Sequence, residues 1–173
     1  MNPDFFTYIE QLELVAFFAG YPLIFAIVRF LAVEPRMGSF ELIRKLSILL
    51  PYAYALTATL YLGMVLNNMY PHYSLLAFRE QFSTNYLKLW GVVAIFFWIP
   101  ALGKKSFLSV LHSLVFFFLL LADMFRHINS IADGRISNDM KMYTNSLLLN
   151  TATLAITAAA YFILNKMRKR RNL

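Results

Sequence analysis

The chain has 173 residues, of which 60% are hydrophobic and 17% aromatic. Only 14% are charged and none is cysteine, against about 25% charged residues in soluble domains. So few polar groups cannot cover a water-facing surface, and the lack of thiols excludes disulfides, iron–sulfur clusters, thiolate nucleophiles and thiolate zinc sites.

The expected class is all-α: a single membrane domain over residues 1–173, built as a polytopic bundle of five transmembrane helices. A helix needs about 20 apolar residues to cross a hydrocarbon layer of about 30 Å. The first span is expected at 14–33, after an N-terminal tail, MNPDFFTYIEQLE, with acidic but no basic residues. Without a basic first region or a small-residue cleavage site, that tail is not expected to be a signal peptide. Pro22 should kink the first span near its middle.

The second span is expected at 46–66. Ser39 is a good helix start, so SFELIRKLS should extend this span along the inner surface. Pro51 falls in its first turns. Ala55, Thr59 and Gly63 form a small-xxx-small series that lets helices approach closely. The outer loop that follows carries Leu75, Phe78 and Phe82 on one helical face, the pattern of a short interfacial helix.

The third span, 86–102, is shorter and has Trp90 and Trp98 near its two ends, where interfacial aromatics belong. A tight GKKS turn leads to the fourth span, 107–125. Its sequence HSLVFFFLLLADMFRH places His112 and Asp123 eleven positions apart, within about 20° of one helix face and about 16 Å apart along the axis. Arg126 and His127 follow Asp123 at i+3 and i+4. This stripe reads either as a polar path, a proton relay or ion route along the helix, or as a packed neutral histidine with an aspartate paired to its neighbours. The next loop contains the turn signal Asp133-Gly134.

The fifth span is expected at 143–164. Asn150, Thr153 and Thr157 share a face with Tyr161, on a helix thinned by alanines. They read either as lining of a wet cavity or as close helix packing with hydrogen bonds across the contact. The basic tail, 165–173, offers Lys166, Arg168, Lys169, Arg170 and Arg171 to anionic headgroups.

Orientation follows from where lysine and arginine fall. Arg36, Arg44 and Lys45 after the first span, Lys104 and Lys105 in the GKKS turn, and the basic tail all lie on one side if five spans alternate. The expected topology is N-terminus outside and C-terminus cytoplasmic. No Asn-x-Ser/Thr sequon is present, and a bacterial inner membrane is the expected location.

Catalytic signatures are absent. There is no H-E-x-x-H, G-x-S-x-G, Walker or dinucleotide motif. The three histidines, His72, His112 and His127, do not form a ligand pair for a haem within one protomer, and no cofactor or metal is expected. The net charge of +7 is gathered beside apolar segments, so the partner it implies is the lipid bilayer, not nucleic acid. In format the chain resembles small bacterial membrane effector or accessory proteins. The function expected from its polar stripes is self-association into a homo-oligomer that forms or gates a pore or channel. An anchor or assembly subunit of a larger membrane complex is the first alternative. An outer-leaflet lipid-modifying enzyme using the Asp123 cluster is the second.

Overall fold

Proline and glycine set where the first helix breaks. In the computed structural model, which describes residues 14–33, 40–71, 73–83, 86–128 and 135–171, residues 14–18 are helical, 19–20 form a turn, and α1 then runs over Tyr21–Val33. Pro22 has no N–H to offer the Phe18 carbonyl one turn back, and its ring crowds that carbonyl. The interruption lies immediately before the proline, and the whole stretch Leu14–Ala32 remains long and apolar enough to span.

The second apolar segment is one uninterrupted helix, α2 (Phe40–Asn68), with Pro51 inside it. It extends the expected span at both ends. A short helix, α3 (Leu75–Ser83), follows. Of its expected apolar face, Phe82 is buried and packs at 4.7 Å on the ring of Phe78, while Leu75 is open to the surroundings.

The third expected span is not one helix. It is divided into α4 (Tyr86–Val93), a 3₁₀ stretch (Ala94–Trp98) and α5 (Pro100–Gly103). Ile99 is extended, with φ −72° and ψ 123°, as the residue before a proline prefers. After the GKKS turn come α6 (Ser106–Ile128) and α7 (Arg135–Arg171). Among the described residues the elements are all helical, and four helices are long and apolar enough to cross a membrane: Leu14–Ala32, Glu41–Asn68, Ser106–Arg126 and Met140–Arg171.

α2 is the central helix, packed against α7, the 3₁₀ stretch and α1. Ala53, Ala55 and Ala58 are buried along it, so neighbouring helices come close. Between helices in lipid there is no water to expel, and cohesion rests on van der Waals packing and hydrogen bonds. The packing is aromatic: Phe18 stacks on Phe116 with ring centroids 4.7 Å apart and meets Tyr54 and Tyr61 edge-on.

Two cavities identify the ends of the bundle. One is lined by Arg29, Ser47, Tyr52, Gly103 and Lys104, so the end of α1, the start of α2 and the turn between α5 and α6 meet there. The other, of about 200 Å³, is lined by Leu14, Leu87, Phe116, Asp123 and Arg126, which brings together the starts of the first and third segments and the far end of α6.

The acidic N-terminal tail, Arg36, the Ser39 helix start, His72 and the Asp133-Gly134 turn lie outside the described residues. For His127 only the helical backbone is described.

Candidate functional site

Two groups of buried polar residues carry hydrogen bonds between segments. The first surrounds His112, buried in α6. Its Nε2 lies 2.8 Å from the Trp90 carbonyl oxygen and its Nδ1 lies 2.8 Å from the Tyr54 hydroxyl. A carbonyl only accepts, so Nε2 carries the hydrogen; in the neutral ring Nδ1 then accepts from Tyr54. The Trp90 indole stacks on the imidazole, 4.6 Å between centroids and 4° from parallel, and donates its N–H to the His112 carbonyl oxygen at 3.2 Å. Phe97 closes the cage edge-on. Next to it the Tyr21 hydroxyl meets Ser109 Oγ at 2.7 Å, and Ser109 donates to the Ser106 carbonyl. With that hydrogen committed, Tyr21 is the donor to Ser109.

Two glycines allow close packing beside this arrangement: Gly103 against the Phe97 backbone and Gly91 against the Phe18 ring. A Cβ at Gly103 would come within 2.7 Å of the Phe97 carbonyl oxygen, and one at Gly91 within 2.9 Å of the Phe18 ring.

The second group is a seam between α7, α2 and the broken first helix. Asn150 Nδ2 donates to the Phe17 and Ser146 carbonyls, both at 2.8 Å. Two carbonyl partners fix the amide orientation, because only the NH₂ end can donate to both. Ser146 Oγ, one turn earlier on the same face of α7, accepts the Gly20 N–H at 2.8 Å. The Gly20 N–H, in the turn at 19–20, and the Phe17 carbonyl, just before it, are thus bonded by side chains at i and i+4 of α7. Gly20 has to be glycine for this approach: a Cβ there would stand 2.7 Å from Leu147 N and from the Ser146 carbonyl carbon.

The seam continues to α2 through Thr57. Its hydroxyl lies 3.0 Å from Thr153 Oγ1, 3.2 Å from the Ala53 carbonyl and 3.4 Å from Asn150 Oδ1. One hydroxyl hydrogen serves three acceptors, and Asn150 Oδ1 is the farthest of them. Thr153 donates to the Asn150 carbonyl at 3.0 Å, and Thr157 back-bonds to the Thr153 carbonyl at 2.7 Å.

Asp123 belongs to neither group. It is half-buried at the cavity it shares with Leu14 and Leu87, and it pairs with Arg126 at 3.5 Å. Along the α6 face between it and His112, Phe116 and Leu120 are buried, and Phe116 stacks on Phe18. Within one protomer an aromatic stack therefore separates Asp123 from His112.

The remaining sequence-nominated residues divide. Ala55 is buried, while Thr59 lies at the surface, back-bonded to Ala55 and accepting the Trp98 indole N–H at 3.0 Å. Gly63 has open space around it. Lys166, Arg168 and Lys169 line a cavity with Lys45, and Arg170 and Arg171 end α7 on an exposed turn.

Sequence reasoning missed the partners: Tyr54 and Trp90 for His112, the Phe17 carbonyl for Asn150, and the Gly20 N–H for Ser146. The Gly20-Tyr21-Pro22 triplet inside an apolar run was the available signal, because a helix broken at depth needs polar side chains opposite it. Comparison with protein-family models, with curated proteins and with solved structures gives no match.

Proposed function

We propose that this chain is a non-enzymatic, multi-pass protein of a bacterial inner membrane that acts as an anchor or assembly subunit of a larger complex. Five crossings, with the N-terminus outside and the C-terminus cytoplasmic, are part of the proposal. The support for the fifth crossing is the third segment. It leaves the cavity shared by Leu14, Leu87 and Asp123, and ends at Gly103 beside Arg29 and Ser47. Its two helical pieces and 3₁₀ stretch add to about 28 Å of rise, close to the hydrocarbon thickness. The same arrangement gathers Arg29, Lys45, Lys104 and the basic end of α7 at one pole, as the positive-inside rule requires.

The observation that carries the functional reading is the inward commitment of the deep polar groups. His112, Asn150, Thr153 and Thr57 bond to side chains and carbonyls of the same protomer. An interior so committed is a rigid scaffold, and its working surface is the outside. The deciding measurement is the mass of the detergent-solubilised particle, with any second chain identified, beside planar-bilayer recordings. A stoichiometric second protein and no conductance are expected. A partner-free homo-oligomer that conducts would reject the reading.

A pore or gate formed by self-association is the second reading. It rests on the exposed, thin face of α7 that carries Thr151, Ala152, Ala155 and Ala159, along which a second copy would pack closely. It predicts conductance that changes with substitutions on that face.

A further inference from the structure

We propose that the cleft between α2 and α7 is a binding site for one anionic glycerophospholipid of the cytoplasmic leaflet, with an acyl chain in the apolar half and the phosphate in the basic half. The proposal rests on the bilayer reading and on the orientation given above.

The cleft has two adjacent parts. The apolar part, of about 580 Å³, has walls from α2 (Leu49, Tyr52, Leu56), from α7 (Ile156, Leu164) and from Trp98. The basic part, of about 590 Å³, is lined by Lys45, Asn165, Lys166, Arg168 and Lys169. Tyr161 lines both. The order along the helices is regular. Moving down α7 from Ile156 to Lys169, the lining passes from aliphatic to amide to cation, and moving back along α2 from Leu56 to Lys45 it passes from aliphatic and aromatic to cation. The stretch from Ile156 to Lys169 spans about 20 Å of helix, the depth of one leaflet's acyl region and its phosphate.

Charge selects the occupant. Four cations face the basic part, and its lining includes no carboxylate. Lys45 is held by Glu41 at 2.7 Å, which leaves Lys166, Arg168 and Lys169 as the main phosphate contacts. A zwitterionic lipid would bring its own ammonium among these cations, whereas a phosphatidylglycerol brings only the phosphate charge and hydroxyls. A free phosphate would use the basic part and leave the apolar part empty. A peptide would leave polar backbone groups facing Leu56 and Ile156, which an acyl chain does not.

Trp98 reports on occupancy because it lines the apolar part. Full-length protein in phosphatidylcholine vesicles is titrated with chain-brominated phosphatidylglycerol or with chain-brominated phosphatidylcholine. The contribution of Trp98 is taken as the difference between wild type and Trp98→Phe. Saturable quenching at low mole fraction of brominated phosphatidylglycerol, with a clear preference over phosphatidylcholine, is expected. Lys166→Gln with Lys169→Gln should cut that preference by roughly tenfold or more. Ala160→Phe, which fills the apolar part, should abolish the saturable quenching by phosphatidylglycerol with the lysines intact. The lysines are exposed, so their variant carries the test even if Ala160→Phe does not fold.

Equal quenching by the two lipids, or a preference untouched by the lysine changes, would overturn the proposal. So would full displacement of phosphatidylglycerol by millimolar inorganic phosphate, which would make the basic part a site for the free anion. None of these results bears on particle mass or conductance, so the lipid site and the assembly reading fail separately.

Discussion

The two polar knots inside this bundle are built differently. The cage around His112 is a convergence of long side chains: an imidazole held between the Tyr54 hydroxyl and the Trp90 carbonyl, with the Trp90 indole lying on its face. The seam at Asn150 is a convergence of backbones. Gly20 lets the first helix approach α7 until Ser146 and Asn150 reach its interrupted main chain. The cage tolerates small displacements because its parts are jointed. The seam does not, since main-chain atoms have no rotamer through which to retreat. In a bilayer, where water cannot stand in for a missing partner, the less adjustable knot should be the more fragile one.

Four substitutions test that ordering. Gly20→Ala should have the largest effect. Its Cβ would meet main-chain atoms at 2.7 Å, so α7 has to move as a body, and a loss at or above the upper end of the ~1–3 kcal/mol usual for overpacking is expected. Steric-trap unfolding in bicelles measures it, and a loss smaller than that of His112→Ala would reverse the ordering. His112→Ala removes the ring between the Tyr54 hydroxyl and the Trp90 carbonyl and leaves the Tyr54 hydroxyl buried without its acceptor; a loss of ~2–3 kcal/mol is expected, with a red-shifted Trp90 emission as its spectroscopic signature. Asn150→Leu deprives the Phe17 carbonyl of its side-chain donor, but Thr57 and Thr153 keep each other. Intramembrane hydrogen bonds average ~0.6 kcal/mol with a maximum of ~1.7, and a loss near that maximum is expected. A double-mutant cycle with Thr57→Val should show weak coupling, because the 3.4 Å contact is the longest in the seam. Asp123→Asn breaks only a 3.5 Å i,i+3 pair whose arginine is largely exposed. It should change stability by less than ~0.5 kcal/mol in the same assay.

The same contrast explains what the sequence made legible. Span composition depends on local hydropathy, and four of the expected segments are long apolar helices. The face shared by Asn150, Thr153 and Thr157 follows from helical periodicity, and its interhelical bonding from small, hydroxyl-bearing residues. The third segment was legible as apolar and close to membrane length, but not in its division at Ile99-Pro100. A proline near the end of an apolar run looks like a terminator, and the 3₁₀ stretch before it, which packs against α2, has no local sequence signature. The partners of His112 were not legible at all. Tyr54 is 58 positions away and Trp90 is 22 away, and Trp90 reads from sequence as an interfacial anchor. Periodicity assigns a residue to a face and leaves open which neighbour that face meets.

The length of α7 has a mechanical corollary. Its 37 residues make a rod of about 55 Å, nearly twice the thickness of a bilayer's oily slab. Even with the customary inclination of about 20°, the rod overshoots both surfaces. With the apolar stretch 143–164 centred in the slab, about 12 Å stands proud on the side of Arg135 and about 10 Å on the side of Arg171. Arg170 and Arg171 at the far tip would then stand beyond the phosphate-facing Lys166, Arg168 and Lys169, at the aqueous edge, where another macromolecule meets them first.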